Sequence, residues 1–541
     1  MRTTHQIIFI ILIILCITLI MKYTSFQLLS GLGATQNTTF RPTDESSTSF
    51  TLADFISLEE WTSLLALVEW PSPTHKLSSP VEATDPTKCL FTLVSPDVNY
   101  TVGNVLTVQV VARDATGKPK THGGDFFQAK IYSTEQRAST YGEVIDNYNG
   151  TYTVQLALLW PGPAKVLVRL IHSSEAVQVL RRQREQYPDK VFFTGYFKVG
   201  NVEETVVCNA DRSAWLAGSS KSVCKFTDLG TGELWFCQKP PSLPCDSWVH
   251  HSFGGYRANV STTENSLLSK SSTDVKIPGS DVTVNVLQNI SKTSKTNKCL
   301  PGLETPVPAG FYFQDKWTSL LCKTQSFTSA DQVSACIKDK QILMMGDSTL
   351  RQWFEYLLTK VPSALKKLNL HTSEQSGPFE AVDTTANVRL EWRAHGLPLR
   401  TSKTPWADLH YIANEMKDLA GGEHTVVVFT IWAHFTTYPL TVYVRRLSII
   451  RKAVIALLQR SSNQTLVVIK SANTGYKDVY GSDWLSWQLD RVLRAMFKDL
   501  HVVIIDVWQM TSCHSSPDNI HPPAVVIENE VELFLSFVCP K

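Results

Sequence analysis

The chain has 541 residues, of which 43% are hydrophobic and 18% are charged. This composition excludes an intrinsically disordered protein, and the length predicts two folded domains rather than one core. The 51 Lys and Arg nearly balance the 49 Asp and Glu, and no long run of one charge sign occurs. That balance argues against a nucleic-acid-binding surface, so we expect no nucleic-acid partner.

The N-terminus begins with a short apolar segment. Residues 7–21 are almost entirely apolar and would extend about 22 Å as a helix, less than the roughly 30 Å core of a bilayer. Residues 1–22 therefore fit either a cleaved signal peptide or a signal anchor, and we favour the anchor because Gly31 and Gly33, where a peptidase could cut, lie far beyond this segment. We expect a type II Golgi membrane protein or a secreted protein that contacts the membrane only through this segment.

Glycosylation sequons support a lumenal location for the remaining residues. A random sequence of this length would contain about two or three such sites. Six occur here, and we predict N-glycosylation at Asn37, Asn99, Asn149, Asn259, Asn289 and Asn463.

The cysteines give the same indication. Cys16 lies in the apolar segment, and the other ten form an even set that suits disulfides in an oxidising lumen. Their spacing leaves the pairing open, and they are Cys89, Cys208, Cys224, Cys237, Cys245, Cys299, Cys322, Cys336, Cys513 and Cys539.

Residues 23–85 are rich in Ser, Thr and Pro, which predicts a stem. Within it, residues 58–70 place apolar side chains at nearly helical spacing and predict one short amphipathic helix.

From residue 86 the apolar period changes to two, as in Leu106, Val108 and Val110, which predicts short half-buried strands. Residues 86–252 are therefore predicted to form a β-sandwich of the immunoglobulin or filamin type.

Four cysteines of this region lie within 38 residues, between Cys208 and Cys245. The paired spacing of a zinc site is missing, so we expect disulfides here and no metal. Residues 253–298 are rich in Ser, Thr, Lys and Asn and predict an exposed linker or a long surface insertion.

Residues 299–541 alternate short apolar runs with amphipathic helices. This pattern predicts a parallel sheet covered by helices on both sides, an α/β fold. The predicted strands are 341–345, 425–431, 465–469 and 502–507, and the predicted helices are 350–359, 441–460, 483–498 and 526–537.

Ser348 occupies the place in this pattern where ligands bind. It follows the first predicted strand through Gly346-Asp347 and precedes the helix at Leu350. In a parallel sheet this position lies at the carboxyl edge, where helix N-termini offer free N–H groups. Read alone, Asp347 or Ser348 would be a helix cap.

A second motif makes catalysis the better interpretation. Asp518 and His521 lie in the loop between the last strand and the last helix, which the same topology brings to the carboxyl edge. Histidine can take a serine proton near neutral pH, and an acid three residues earlier can orient its ring. The alternative is a loop without function before Pro522-Pro523.

The Gly346-Asp347-Ser348 block, the residues 349–353 that follow it and the terminal Asp-x-x-His before proline resemble the PC-esterase branch of the SGNH hydrolases. A sandwich with a cysteine cluster before this block resembles the neurexophilin and PC-esterase domain (NXPE) family over about residues 85–541. The resemblance implies Ser348 as nucleophile, His521 as base and Asp518 as its orienter. Related domains include sialate and plant polysaccharide O-acetyltransferases, which implies no bound cofactor and acetyl-coenzyme A as a candidate co-substrate.

The SGNH block that usually supplies an oxyanion donor is replaced here by residues 432–435. The candidate donors are the Ser348 N–H, His434 and Asn473, although His434 could equally be a packed core histidine. Arg351 could hold an anionic donor or substrate, or form a surface ion pair.

Two functions follow from these features. The first is a luminal serine-dependent O-acyl (acetyl) transferase or esterase acting on a glycan or glycoprotein. The second is a secreted or cell-surface binding protein that uses its sandwich to bind a cell-surface protein and keeps an inactive esterase-like domain.

Overall fold

The computed structural model describes residues 41–42, 52–73, 79–96, 98–211, 223–257, 259–280, 282–288, 297–361, 363–370 and 375–541. The predicted signal anchor and the sequons at Asn37 and Asn289 lie outside these residues. Among the helices that are described, none combines the length and the apolar character needed to cross a bilayer. The other four sequon asparagines are all exposed, as glycosylation requires, and they are Asn99, Asn149, Asn259 and Asn463.

The described strands form three sheets. In chain order the strands are β1 Arg41–Pro42, β2 Leu90–Leu93, β3 Val105–Val111, β4 Phe126–Ser133, β5 Ala138–Asp146, β6 Thr151–Ala157, β7 Gly162–His172, β8 Val191–Val199, β9 Val202–Asn209, β10 Val223–Thr227, β11 Leu234–Gln238, β12 Trp248–Tyr256, β13 Val275–Lys276, β14 Thr283–Val286, β15 Gly310–Phe313, β16 Lys316–Ser319, β17 Gln341–Gly346, β18 Lys366–Leu368, β19 Phe379–Asp383, β20 Val388–Ala394, β21 Thr404–Pro405, β22 Thr425–Phe429, β23 Leu466–Lys470 and β24 Val503–Ile505.

The α-helices of the described residues lie mostly in the C-terminal half. In chain order they are α1 Leu58–Leu67, α2 Ser174–Gln186, α3 Thr262–Leu267, α4 Ala330–Ile337, α5 Ser348–Lys360, α6 Ile412–Lys417, α7 Leu440–Arg460, α8 Asp483–Phe497, α9 Val507–Cys513 and α10 Ala524–Val538.

The first two sheets are antiparallel and β-rich, as predicted for the N-terminal half. One has the core order β13-β7-β4-β5-β6-β3-β2, with β14 beside β7 and the β15–β16 hairpin beside β5. Its inward side chains, such as Leu106, Val108 and Val110, are fully buried because strand side chains alternate between two faces. The second sheet has the order β1-β10-β11-β9-β8-β12-β21.

The third sheet has the order β18-β19-β20-β17-β22-β23-β24. Its five strands β20, β17, β22, β23 and β24 are parallel, which confirms an α/β arrangement. The edge strand β18 and its neighbour β19 are antiparallel, and the sequence did not predict them. Helices α7 and α8 cover one face through Leu447, Val454 and Leu489. Across the sheet, Trp353 of α5 packs against Phe534 of α10 with ring centroids 5.5 Å apart.

Two segments differ from their predicted roles. Helix α1 falls within the predicted stem, yet Leu64 and Val68 are buried in the core formed with α7 and α8. The predicted linker supplies β13 and β14, which pair with β7. Serine and threonine side chains on the exposed face of these elements hid the few buried positions, so composition misrepresented both segments.

Eight of the ten cysteines outside residues 1–22 form disulfides, and four bonds indicate an oxidising compartment. The prediction of a fully paired set fails for Cys89 and Cys513, which are free and buried in separate parts of the fold. Burial raises the pKa of both thiols to about 12, so they stay neutral and unreactive at pH 7. The bonded pairs are Cys208–Cys237, Cys224–Cys245, Cys299–Cys322 and Cys336–Cys539.

The buried His172, at the end of β7, should make the free energy of unfolding sensitive to acid. Its ring is fully buried, and neither ring nitrogen has a hydrogen-bond partner among the described residues. Burial, reinforced by the charge of Lys477, lowers its pKa to about 3, so only the unfolded chain binds this proton between about pH 6.5 and 3. Stability is therefore complete above pH 6.5 and falls by up to about 1.4 kcal/mol per pH unit below it.

His172→Leu should remove this dependence. Urea unfolding at pH 7.5 and pH 5.0 should show that the variant loses about 2 kcal/mol less than the wild type on acidification. Equal losses would contradict this assignment.

Candidate active site

Ser348 lies at the first turn of α5, immediately after β17. The turn needs glycine at position 346, because a Cβ there would lie 2.7 Å from the Thr430 side chain. Asp347 is the helix cap: its Oδ1 accepts from the Thr349 N–H at 2.9 Å and from the Thr349 hydroxyl at 2.6 Å. Since Asp347 caps the helix, the Ser348 hydroxyl is left to interact with other groups.

His521 meets that hydroxyl. Ser348 Oγ lies 2.7 Å from His521 Nε2, although 173 positions separate the residues in the sequence. Burial is the main cause that lowers the pKa of His521; Arg351 and Lys470 lower it further, and Asp347 opposes them. A neutral imidazole that accepts from a serine hydroxyl can act as a general base.

The loop that carries His521 is held by several hydrogen bonds. Asn473 Nδ2 donates to the Ile520 carbonyl at 2.9 Å, and the His521 N–H donates to Asn519 Oδ1 at 2.9 Å. A Cβ on Gly475 would lie 2.3 Å from the Ile520 nitrogen, so only glycine permits this approach. The loop backbone is therefore fixed on both sides of the histidine.

Asn473 is thus not the oxyanion donor that the sequence suggested. It is fully buried, its oxygen accepts from Lys470, and its amide faces Ile520. Lys470 Nζ also lies 3.3 Å from the Thr349 hydroxyl, which links this loop to the first turn of α5. Asn473 supports the loop instead of the reacting atoms.

Asp518 also differs from its predicted role. Its Oδ2 lies 2.7 Å from Arg169 Nη1 and 3.8 Å from Lys477 Nζ, and within the described residues it makes no hydrogen bond to His521. Burial would raise its pKa, but Lys477 and Arg169 lower it below the ordinary value. Asp518 therefore does not orient the histidine; it anchors the loop to β7.

His434 follows β22, the parallel neighbour of β17, so it lies at the same carboxyl edge of the sheet as Ser348. Its Nδ1 lies 3.0 Å from Nε2 of the fully buried His395. Burial, followed by His395 and Arg400, places its pKa well below the ordinary value, so the ring is neutral. When His395 Nε2 donates to His434 Nδ1, the neutral His434 ring carries its own proton on Nε2. His434 Nε2 is then a hydrogen-bond donor. Sequence patterns offered no signal for His395.

Arg351 has local partners. Its Nε lies 3.1 Å from Glu355 Oε1, its Nη1 donates to the Gln375 carbonyl at 3.0 Å, and its guanidinium lies 5.8 Å from the Trp392 ring centroid. These contacts hold a cation beside His521.

Comparisons with known proteins match both halves of the chain. The profile of the family described as "NXPE family member 4-like, C-terminal domain" matches residues 317–539, which include Ser348 and His521. The profile described as "Neurexophilin" matches residues 57–267.

Among solved structures, this chain is similar to FdeC, an adhesin of Escherichia coli. The alignment has 13% sequence identity and covers 38% of this chain and 66% of the FdeC chain. Its TM-score of 0.14 is too low for any conclusion about the fold. The two profile matches, in the expected order and together spanning most of the described residues, show that the chain belongs to the NXPE family.

Proposed function

We propose that this protein is a luminal serine-dependent O-acyltransferase or esterase that acts on glycan hydroxyls. The observation that carries the proposal is the 2.7 Å contact between Ser348 Oγ and His521 Nε2 at the start of α5. The proposal includes the SGNH-type assignment of the α/β half and residence in the Golgi as a type II membrane protein. Four disulfides support an oxidising compartment.

The reaction would proceed in two acyl transfers. His521 Nε2 takes the Ser348 proton as Oγ attacks the carbonyl carbon of an acetyl donor, and the tetrahedral intermediate carries a negative oxygen. Collapse of that intermediate breaks the bond to the donor, and His521 returns the proton to the leaving group. The same histidine then deprotonates a glycan hydroxyl, which attacks the carbonyl carbon of acetyl-Ser348 and gains the acetyl group. The bond from that carbon to Ser348 Oγ breaks, and His521 returns the proton to Oγ. With water as acceptor, the products are acetate and free enzyme.

The oxyanion donors would be the Ser348 N–H at the helix N-terminus and His434 Nε2. The contact of His395 with His434 Nδ1 fixes the His434 ring, so Nε2 of His434 points away from His395. Since Asp518 is paired with Arg169, the proposed machinery is a serine–histidine pair rather than a triad. Arg351 would supply positive charge for a phosphate-bearing donor such as acetyl-coenzyme A.

Incubation of the purified full-length chain with acetyl-coenzyme A and sialylated or other glycans tests the proposal. We expect the wild type to release free thiol and form acetylated glycan, and Ser348→Ala to lose about 10³-fold or more of this rate. Use of an aryl acetate in a parallel assay detects esterase activity. Equal product from the two proteins in both assays would remove the proposal.

The match of residues 57–267 to the neurexophilin profile favours a second candidate, binding of a cell-surface protein through the β-rich half. Under that alternative, Ser348→Ala would bind cells as well as the wild type does, and neither protein would transfer acyl groups.

A further inference from the structure

A second cleft lies between the β-rich half and the α/β half. It is bounded by β5, α8 and α9 and has a volume of about 560 Å³, within the usual range of small-ligand sites. Its walls include the rings of Trp70, Tyr141, Trp487 and Trp508. Neither Ser348 nor His521 lines it, so it is separate from the candidate active site.

Several polar groups in this cleft lack protein partners. The guanidinium of Arg491 lies over the Trp487 ring at 4.5 Å and makes no ion pair or hydrogen bond with the described residues. The Tyr141 hydroxyl and the Glu143 carboxylate likewise have no hydrogen bond to that part of the chain. Burial raises the pKa of Tyr141, so its hydroxyl remains a donor at pH 7. Tyr141 and Arg491 are half-buried, and groups of this kind are stabilised when a ligand completes their hydrogen bonds, whereas Glu143 is exposed.

A neighbouring arginine shows the contrast. Arg494, one helical turn from Arg491 on the same wall, lies 2.6 Å from Asp490 and 3.2 Å from Asp506. Its charge is therefore already compensated by the protein. The unpaired donors are concentrated around Tyr141 and Arg491, at the aromatic part of the cleft.

The charge of the lining decides which ligand class fits. The six lining carboxyl groups outnumber the two lining guanidiniums, Arg491 and Arg494, which disfavours an anion. The six are Glu69, Asp125, Glu143, Asp146, Asp490 and Asp506.

Aromatic faces favour a ligand with an apolar side, whereas Tyr141, Arg491 and Glu143 offer both donors and an acceptor. A neutral pyranose has both an apolar side and polar groups. Its C–H face packs on an aromatic ring, and its hydroxyls donate and accept hydrogen bonds. We infer that this cleft binds a neutral pyranose unit of a glycan. This goes beyond the acyl-transfer proposal and does not depend on it, because binding here uses no residue of the Ser348 site.

Calorimetric titration of the full-length chain, after enzymatic removal of its own N-glycans, tests the inference. The probes are methyl β-lactoside, N-acetyllactosamine, diacetylchitobiose and the anionic 3′-sialyllactose. We expect at least one neutral probe to bind. Its affinity should fall about fivefold or more in Tyr141→Phe, which removes one hydroxyl without changing the packing, and in Arg491→Leu.

Two controls make the result specific. Phe253 is an aromatic residue, 59% exposed, outside the cleft, and Phe253→Ala should bind like the wild type. Ser348→Ala should also bind normally, which separates this test from the test of acyl transfer. The inference is overturned by the absence of binding by all three neutral probes, by unchanged affinity in both cleft variants, or by 3′-sialyllactose binding more tightly than methyl β-lactoside in a way that Tyr141→Phe and Arg491→Leu both weaken.

Discussion

His521→Gln is expected to reduce the rate of acyl transfer about 10³-fold while leaving the fold intact. General-base catalysis by a positioned histidine contributes roughly 10²–10⁴-fold, and glutamine cannot take the Ser348 proton. His521 is partly covered by neighbouring groups but is not buried in the core, so its replacement should leave the urea midpoint nearly unchanged. The measurement is kcat with acetyl-coenzyme A and the best glycan acceptor.

A matched control is available in His424, an exposed histidine that precedes β22. Its carbonyl accepts from the N–H of Gln341 at the start of β17, so it lies at the sheet edge opposite Ser348. His424→Gln should retain full activity. A His521→Gln enzyme with activity within a few-fold of the wild type would show that the histidine is not the base.

The pH profile adds a readout to this first prediction. The active form of the base is neutral, and burial lowers the pKa of His521 below its ordinary value of 6.5. Activity should therefore rise with pH through a pKa below 6.5 and be level near pH 7. The residual activity of His521→Gln should lack this acid limb.

Arg169→Met is expected to lower kcat by about 10–100-fold through a residue that touches no reacting atom. Arg169 of β7 holds Asp518 at 2.7 Å and Asp274 at 2.8 Å, and Asp518 begins the loop that ends at His521. Loss of the guanidinium frees one end of that loop, and a displacement of about 1 Å at a reacting group can cost about 10²-fold in rate. Methionine keeps the apolar part of the side chain.

A double-mutant cycle with Asp518→Asn separates positioning from general stability. The two substitutions remove the same contact, so their effects on kcat should be far from additive. Arg137→Met is the control, because Arg137 makes an ion pair of 3.0 Å with Asp315 but is 62% exposed. A lower melting temperature with unchanged kcat in Arg169→Met would assign Arg169 a purely structural role.

Other contacts show why the β-rich half would matter to the site. Lys130 of β4 donates to the His514 carbonyl at 2.7 Å, and Gln128 donates to Asp483 at 3.2 Å. Lys477 also contacts Asp483. Strands β4 and β7 thus hold two segments beside His521. One is the loop before α8, which contains Lys477, and the other runs from His514 at the end of α9 to His521 itself.

The parallel strands were predictable because β17, β22, β23 and β24 are apolar runs buried on both faces. The strand β20 alternates Arg389, Glu391 and Arg393 with apolar residues, and the edge strand β18 is fully exposed. Those patterns are common on exposed surfaces, so local sequence could not identify them as parts of this sheet.

The approach of Ser348 to His521 followed from topology, since the strand-turn-helix and the terminal loop both belong at the carboxyl edge of a parallel sheet. The partner of Asp518 did not, because Arg169 lies 349 positions earlier, on a strand of the other half. Local spacing favoured His521, three residues away, as the partner of Asp518, but the carboxylate forms its ion pair with the distant Arg169 instead. Asn473 shows the same limit, because its amide bonds to Ile520, 47 residues later.

A covalent intermediate on Ser348 is the most direct test of the account. The wild-type chain is mixed with acetyl-coenzyme A without acceptor, quenched in acid, digested and analysed by mass spectrometry. The account predicts an acetyl group on the peptide that contains Ser348, lost when a glycan acceptor is added before the quench and absent from Ser348→Ala. Formation of acetylated glycan with this peptide never modified would contradict it.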